Sequence, residues 1–315
     1  MANIAENDLP LYRRLWIYQS ERIPLLKTSI LLAVFSAASI NVSAFLSGRD
    51  LPGYAAYATA FIVSLVLFIQ LRACDEYKDG PDDMKYRPER PIPRGLVSLK
   101  TVLTIGWALV PVALIATFLY HPPLLLLLGL VWFWLALMTV EFFVPEWLKA
   151  RALLYLVSHM AIMPLLDLFV TGAEWVPAAG EPAPALSLFL ALSFMNGCVL
   201  EIGRKIFAPE NEREGVDTYS KLWGINKAII IWMGSILLSF LLLCTVGLAM
   251  GFVTPVAAAG GIMAFFCLRA ASAMAEEPSA KHRDRLDLVS GLWVFVCYFA
   301  AGFIPLIVTF VRSVL

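Results

Sequence analysis

Apolar residues fall in long runs along this chain, and polar residues collect between them. The runs cover about 26–47, 53–74, 101–120, 123–143, 152–171, 185–206, 226–249, 252–274 and 288–311. About 20 apolar residues in a helix cross a bilayer, so nine spans are predicted. Two pairs of runs are separated only by short turns, at His121-Pro122-Pro123 and at Met250-Gly251. Ahead of the first run, residues 1–24 are polar, then amphipathic: Leu11, Leu15 and Trp16 alternate with Arg13, Arg14 and Arg22. That pattern suits a short interfacial helix, and residues 1–8 suit a solvated tail equally well.

Composition agrees with the pattern. Of 315 residues 60% are hydrophobic and 15% charged, too apolar for a soluble domain. The fold predicted is all-α, one polytopic membrane domain over residues 1–315 with about nine transmembrane helices around a central cavity. Net charge is zero, so there is no nucleic-acid footprint. The five cysteines lie in or beside apolar runs without a C-x-x-C pair, and read as small core residues. The N-terminus has no apolar h-region or cleavage site, so no signal peptide is expected. With nine spans, 22 of the 24 Lys and Arg fall on the N-terminal side, and only Arg49 and Arg312 on the other. Positive charge stays inside, which predicts a cytoplasmic N-terminus and an outside C-terminus in the cell membrane. The segment from Thr171 to Pro184 lacks Lys and Arg and reads as an outside loop.

The exception to the apolar pattern is RACDEYKDGPDDMKYRPERPIPRG, residues 72–95, with six carboxylates and six cations. Asp75 and Asp79 are four apart, Glu76 and Asp79 three apart, so on a helix they share a face. Stacked carboxylates repel unless a cation binds them, and magnesium takes such oxygens together with substrate phosphates. Gly80-Pro81 should break the helix, with Asp83 swinging in from beyond the break.

Asp75-Glu76-x-x-Asp79-x-x-x-Asp83 followed by Arg87-Pro88-Glu89-Arg90-Pro91-Ile92-Pro93-Arg94-Gly95 resembles the first signature of the UbiA-type intramembrane prenyltransferases, N-D-x-x-D-x-x-x-D then R-P-x-R-P-I-P-x-G. Asp75 replaces the Asn and Glu76 the first Asp, and both keep oxygen ligands. The resemblance covers about residues 10–311. It implies a magnesium-dependent transfer of a prenyl group from an isoprenyl diphosphate to a lipid or aromatic acceptor among the membrane lipids. Asp75, Glu76, Asp79 and Asp83 are then the catalytic metal ligands. Arg72, Lys78, Arg87 and Arg90 are the implied diphosphate contacts.

The family's second acidic motif should fall at the end of the sixth run. There stand Asn196, Glu201, Arg204 and Lys205, then a loop with Glu210, Glu212, Glu214 and a Gly215-Val216-Asp217-Thr218 turn. Glu201, Glu210 and Glu212 are candidate metal ligands. Asn196, Arg204 and Lys205 are candidate substrate contacts. In one of the registers left open, Lys205 and Ala208 occupy places where the resemblance implies aspartates; Lys205 either contacts phosphate directly or pairs with Glu201 at i,i+4.

Asp167 lies deep in the fifth run, where an ionisable residue is a functional hypothesis by default. His159, eight residues earlier, is about 80° away on a helix, which permits a His–Asp pair. Lys149 and Arg151 stand near a position where the family uses a cation on the diphosphate. Trp107, Trp132, Trp134 and Trp232 suit either a prenyl tunnel or packing. Two other outcomes stay open: a terpene cyclase using the same ionisation, and a transporter or non-catalytic lipid-binding protein.

Overall fold

The structure, a computed structural model, describes residues 9–178 and 180–314. The expected tail over residues 1–8 lies outside the described residues. Among them, nine helical stretches are long and apolar enough to cross a membrane, as the runs predict, and the architecture is all-α. Helix α1 (Leu11–Arg22) precedes the first span, α2 (Leu25–Ser47). The second span, α3 (Tyr54–Lys78), runs into a short helix, α4 (Gly80–Tyr86). The third span is α5 (Leu99–Ala108) with α6 (Val110–Tyr120), and the fourth is chiefly α7 (Leu125–Thr139). After the short α8 (Pro145–Lys149), the fifth span comprises α9 (Ala152–Met160) and α10 (Ile162–Ala178). The sixth is α11 (Leu186–Gly203). A loop carrying α12 (Tyr219–Trp223) leads to α13 (Ile225–Ala249), α14 (Val253–Glu276) and α15 (Ala280–Val314).

Prolines explain the divided spans. Pro111 and Pro164 offer no N–H to the carbonyls of Trp107 and Met160, four residues back, so the helices break at Leu109 and Ala161. Gly80-Pro81 acts more gently than expected. Asp79 keeps right-handed geometry, and the Asp83 N–H still reaches the Asp79 carbonyl at 2.9 Å. Proline near a helix start has no bond to lose, so the chain bends there and winds on. The α13–α14 turn closes at Gly251, whose φ of 81° needs a residue without Cβ.

Two boundaries differ from the hydropathy runs. Helix α10 continues to Ala178, because Glu174 and Trp175 are buried rather than in a loop. Glu174 accepts from Arg49 at 2.6 and 3.0 Å and from Ser43 at 2.6 Å. The fourth span stops at Thr139, and Glu141, Phe142 and Phe143 all have positive φ, 49°, 53° and 62°.

Helix α15 packs on α2, α11 and α14, and α2 also packs on α3 and α10. Lipid offers no hydrophobic drive between helices, so small residues and polar bonds hold them. Gly302 sits so close to α2 that a Cβ there would lie 2.4 Å from the Cα of Ala38. Fully buried Asp167 accepts from Ser39 on α2 at 2.6 Å and from Tyr298 on α15 at 2.5 Å. Asn41 donates to the Gly302 carbonyl at 3.1 Å. Asn196 accepts from Ser239 of α13 at 2.8 Å, and Trp293 donates to the same hydroxyl at 3.0 Å.

Candidate active site between the ends of α3 and α11

The two polar segments flagged by the sequence meet. The loop after α11 folds over α4, and Gly215 makes this possible: at φ 69°, its missing Cβ would lie 2.3 Å from the Tyr86 ring. Arg213 reaches across to Glu89 of the R-P-x-R-P segment at 2.6 Å. The Thr218 hydroxyl caps α12 by accepting from the Lys221 N–H at 3.1 Å, which orders the far end of the loop.

On α3 the carboxylates divide into two kinds. Glu76 is buried and bound by Arg22 of α1 at 2.6 Å, with Tyr18 donating at 3.5 Å. Asp83 is buried and held by Arg87 at 3.0 Å and Arg90 at 2.5 Å. Both are neutralised by arginine. Asp75, by contrast, is 42% exposed, and its nearest cation, Arg72, stands off at 3.7 Å. Burial pushes the Asp79 carboxyl above its ordinary value; Lys78 and Lys205 pull it down, and Asp75 and Asp83 push it up. Asp75 and Asp79, one turn apart, therefore form an under-compensated negative pair.

On α11, Glu201 is buried and held by Arg204 and by Lys205, the latter at 2.8 Å. Glu201 chiefly, with Asp75 contributing, raises the pKa of Arg204 against the opposing effect of burial. Negative Asp75 and Asp79 thus act across the gap on positive Arg204 and Lys205.

Other expected contacts go elsewhere. Lys78 turns toward Tyr155 at 2.9 Å and Glu141 at 3.7 Å. Lys149 reaches Asp82 of α4 at 3.5 Å, while Arg151 lies over Trp147. Glu210 accepts the Ala280 N–H at the start of α15, and Glu212 accepts from Thr218 and Ser220. Asp167 and Asn196 belong to the interhelical bonds described above, and His159 pairs toward Glu141 rather than Asp167. Trp132 donates to Gln70 and Trp134 to the Ser158 carbonyl; buried Trp232 donates to the Val199 carbonyl, and Trp107 is exposed.

Two carboxylates, Asp75 and Asp79, have no side-chain ion pair or hydrogen bond closer than 3.7 Å among the described residues to keep them from magnesium. Among the described residues, no three His, Cys, Asp or Glu side chains are grouped to hold a metal. Arginine, lysine or loop hydrogen bonds engage Glu76, Asp83, Glu201, Glu210 and Glu212. Asp75 and Asp79 remain, and one or two carboxylates plus substrate phosphates are what magnesium takes. The α3 pair fits a metal; the α11 set does not.

Sequence reasoning missed Glu141. It is buried at the end of the fourth span, and a carboxylate inside an apolar run was the available signal. Its backbone and that of the next two residues are left-handed, at about 1–3 kcal/mol each.

Residues 31–297 match the UbiA prenyltransferase family. No curated protein matches the chain. Among solved structures, the chain is similar to an apo UbiA homologue from Aeropyrum pernix K1, at TM-score 0.66 and 18% identity, covering 87% of this chain and 97% of that one. It is also similar to a membrane digeranylgeranylglyceryl phosphate synthase, at TM-score 0.62 and 15% identity, covering 92% and 98%. At these identities the structural likeness speaks for the fold, and the family match, over most of the length, for descent. With the R-P-x-R-P segment folded against the α11 loop, the chain belongs to the UbiA prenyltransferase family.

Proposed function

We propose that this protein transfers a prenyl group from an isoprenyl diphosphate to an acceptor within the membrane. The observation that carries this reading is the meeting of the two polar segments: Arg213 of the α11 loop bonds Glu89 of the R-P-x-R-P segment at 2.6 Å, and Asp75 and Asp79 lie within electrostatic reach of Arg204 and Lys205. A diphosphate bound there meets cations from α11 on one side. Asp75 and Asp79 would hold magnesium on the other. When bound, the metal supplies Lewis-acid stabilisation of the departing diphosphate.

The chain's own residues do the rest. Lys205 and Arg204 donate charge-assisted hydrogen bonds to phosphate oxygens. Glu201 keeps both cations aimed, so their charge is fixed before substrate arrives. Arg87 and Arg90, held by Asp83, stiffen α4 and keep one arginine face toward the phosphates. The prenyl C–O bond then breaks with its electrons leaving on the diphosphate, and the acceptor takes the prenyl carbon. The arginine and lysine contacts favour this reading over a transporter, for which they have no use.

The test is incubation of the purified protein with geranyl, farnesyl and geranylgeranyl diphosphates, magnesium and membrane lipid extract, followed by mass spectrometry. Prenylated lipid is expected. A product formed equally without extract would indicate cyclisation instead, and diphosphates left intact would end the proposal.

A further inference from the structure

Helix α1 stands against the flank of the bundle, and its two faces differ. The inner face carries Leu15, Ile17 and Tyr18, which pack with Ala73 of α3, with Val102 and Leu103 of α5, and with Ile92, Leu96 and Val97 between those helices. Ala73 and Val102 belong to membrane-crossing stretches, Tyr54–Lys78 and Leu99–Tyr120. Each lies only a few residues from the end of its helix, so Tyr18 packs roughly 5–8 Å along the spans, at 1.5 Å per residue. That depth is the boundary where the apolar spans give way to lipid headgroups.

The outer face is aromatic. Trp16 and Tyr12 stand two and six residues from Tyr18, which turns them to the far side of the helix. They are 71% and 67% exposed. Exposed Arg13 and Ser20 share that side. Among the described residues Arg13 has no carboxylate partner; its guanidinium lies 6.0 Å from the Tyr12 ring. The chain then passes through Pro24 into α2, whose first turns leave Leu26 and Ile30 exposed at the start of a span. The outer face of α1 thus continues a surface that lipid covers. Trp and Tyr rings sit at headgroup level in membrane proteins, and an adjacent arginine reaches outward to phosphate.

We propose that the outer face of α1 is a lipid-docking surface, with Tyr12 and Trp16 seated in the headgroup layer and Arg13 on a lipid phosphate, and that this seat holds α1 on the acidic segment. The inner face is where α1 meets Glu76, through Arg22 at 2.6 Å and Tyr18 at 3.5 Å. Glu21 holds Arg94 at 2.8 Å. Tyr18 and Arg22 are one turn apart on the helix that carries Trp16. A rigid α1 therefore cannot shift in the lipid without moving both partners of Glu76. Lipid contact on one face bears in this way on the charge partners of the acidic segment on the other.

The test uses the full chain with a nitroxide at Ser20→Cys, which shares the outer face and leaves both rings in place. It is reconstituted in vesicles of phosphatidylcholine and phosphatidylglycerol, and the signal of the unsubstituted chain is subtracted. Oxygen, which concentrates in lipid, should relax this label more than a water-soluble nickel chelate does. A label at Asp284→Cys, exposed near the start of α15, should show the reverse. Tyr12→Ser with Trp16→Ser should turn the Ser20→Cys label over to the nickel chelate. The same pair should speed amide exchange over residues 11–22 by at least about tenfold, since burying one large apolar side chain contributes that much. A label open to the chelate while both rings are in place overturns the proposal. Dipolar broadening between labels also overturns it, because a second copy would then cover this face. Unchanged exchange after loss of both rings would do the same, since the seat would not be what holds α1. None of these measurements depends on prenyl transfer.

Discussion

At the scale of single residues, the site turns on which charges are already satisfied. Lys205 is the informative one, since it is bonded to Glu201 at 2.8 Å in the segment proposed to meet the diphosphate. A charge-assisted hydrogen bond to phosphate contributes about 1.5–3 kcal/mol. Lys205→Ala should therefore lower kcat/KM by about 10- to 150-fold, with pyrophosphate affinity falling in step. If Lys205 only pairs with Glu201, pyrophosphate binding will not change. Asp79 makes the opposite kind of prediction. Burial raises its pKa in the folded chain, so its contribution to stability is greatest below the ordinary carboxylate range. That contribution is lost as pH rises through the raised value. At pH 7 in EDTA, Asp79→Asn should melt higher than wild type, and the difference should vanish once acid protonates the carboxyl in both states. The same variant should lose metal-dependent pyrophosphate binding. A lower melting temperature at pH 7 would mean that Asp79 already has a cation. The i,i+4 spacing made the Asp75–Asp79 pair legible in the sequence. The fate of Glu76 was not, because its partner Arg22 lies 54 residues away and no local rule connects them.

At the scale of elements, α1 is a clamp. It contributes Arg22 and Tyr18 to Glu76, Glu21 to Arg94 at 2.8 Å, and Arg14 to the Leu96 carbonyl at 3.4 Å. Removing one partner of a buried ion pair leaves the other charge stranded, at about 3–5 kcal/mol. Arg22→Ala should therefore cost that much stability in a denaturant titration, while Arg22→Ala with Glu76→Gln should recover most of it. Failure of the double variant to recover would show that Arg22 acts through something other than Glu76. The loop after α11 depends in the same way on Gly215. Nine spans and both tight turns were legible because they follow from run length and from Pro and Gly. The extension of α10 to Ala178 was not, since the sequence around Glu174 looks like a loop until Arg49 is brought to it. The left-handed turn at Glu141–Phe143 escaped for a related reason: non-glycine residues there are held by tertiary contacts rather than by local preference.

At the scale of the molecule, the uneven distribution of charge orders everything else. Nearly all the cations lie at the ends of the spans that carry the site, and the two on the far side are both engaged. Arg49 is bound to Glu174 at 2.6 Å, and Arg312 lies 6.0 Å over the Phe252 ring. The far face therefore presents little free positive charge, and the site-bearing face keeps an excess. The positive-inside rule predicts that the proposed diphosphate site opens to the cytoplasm. Exposed Glu181, beyond α10, and exposed Asp284, near the start of α15, lie on opposite sides in this arrangement. Glu181→Cys should react with a membrane-impermeant maleimide only from outside the cell, and Asp284→Cys only after the cytoplasmic face is opened. The native cysteines are buried or half-buried, so the unsubstituted protein supplies the background. Labelling of both sites from the same side would break the alternation of nine spans. Labelling with the sides exchanged would keep the nine spans but turn the site outward.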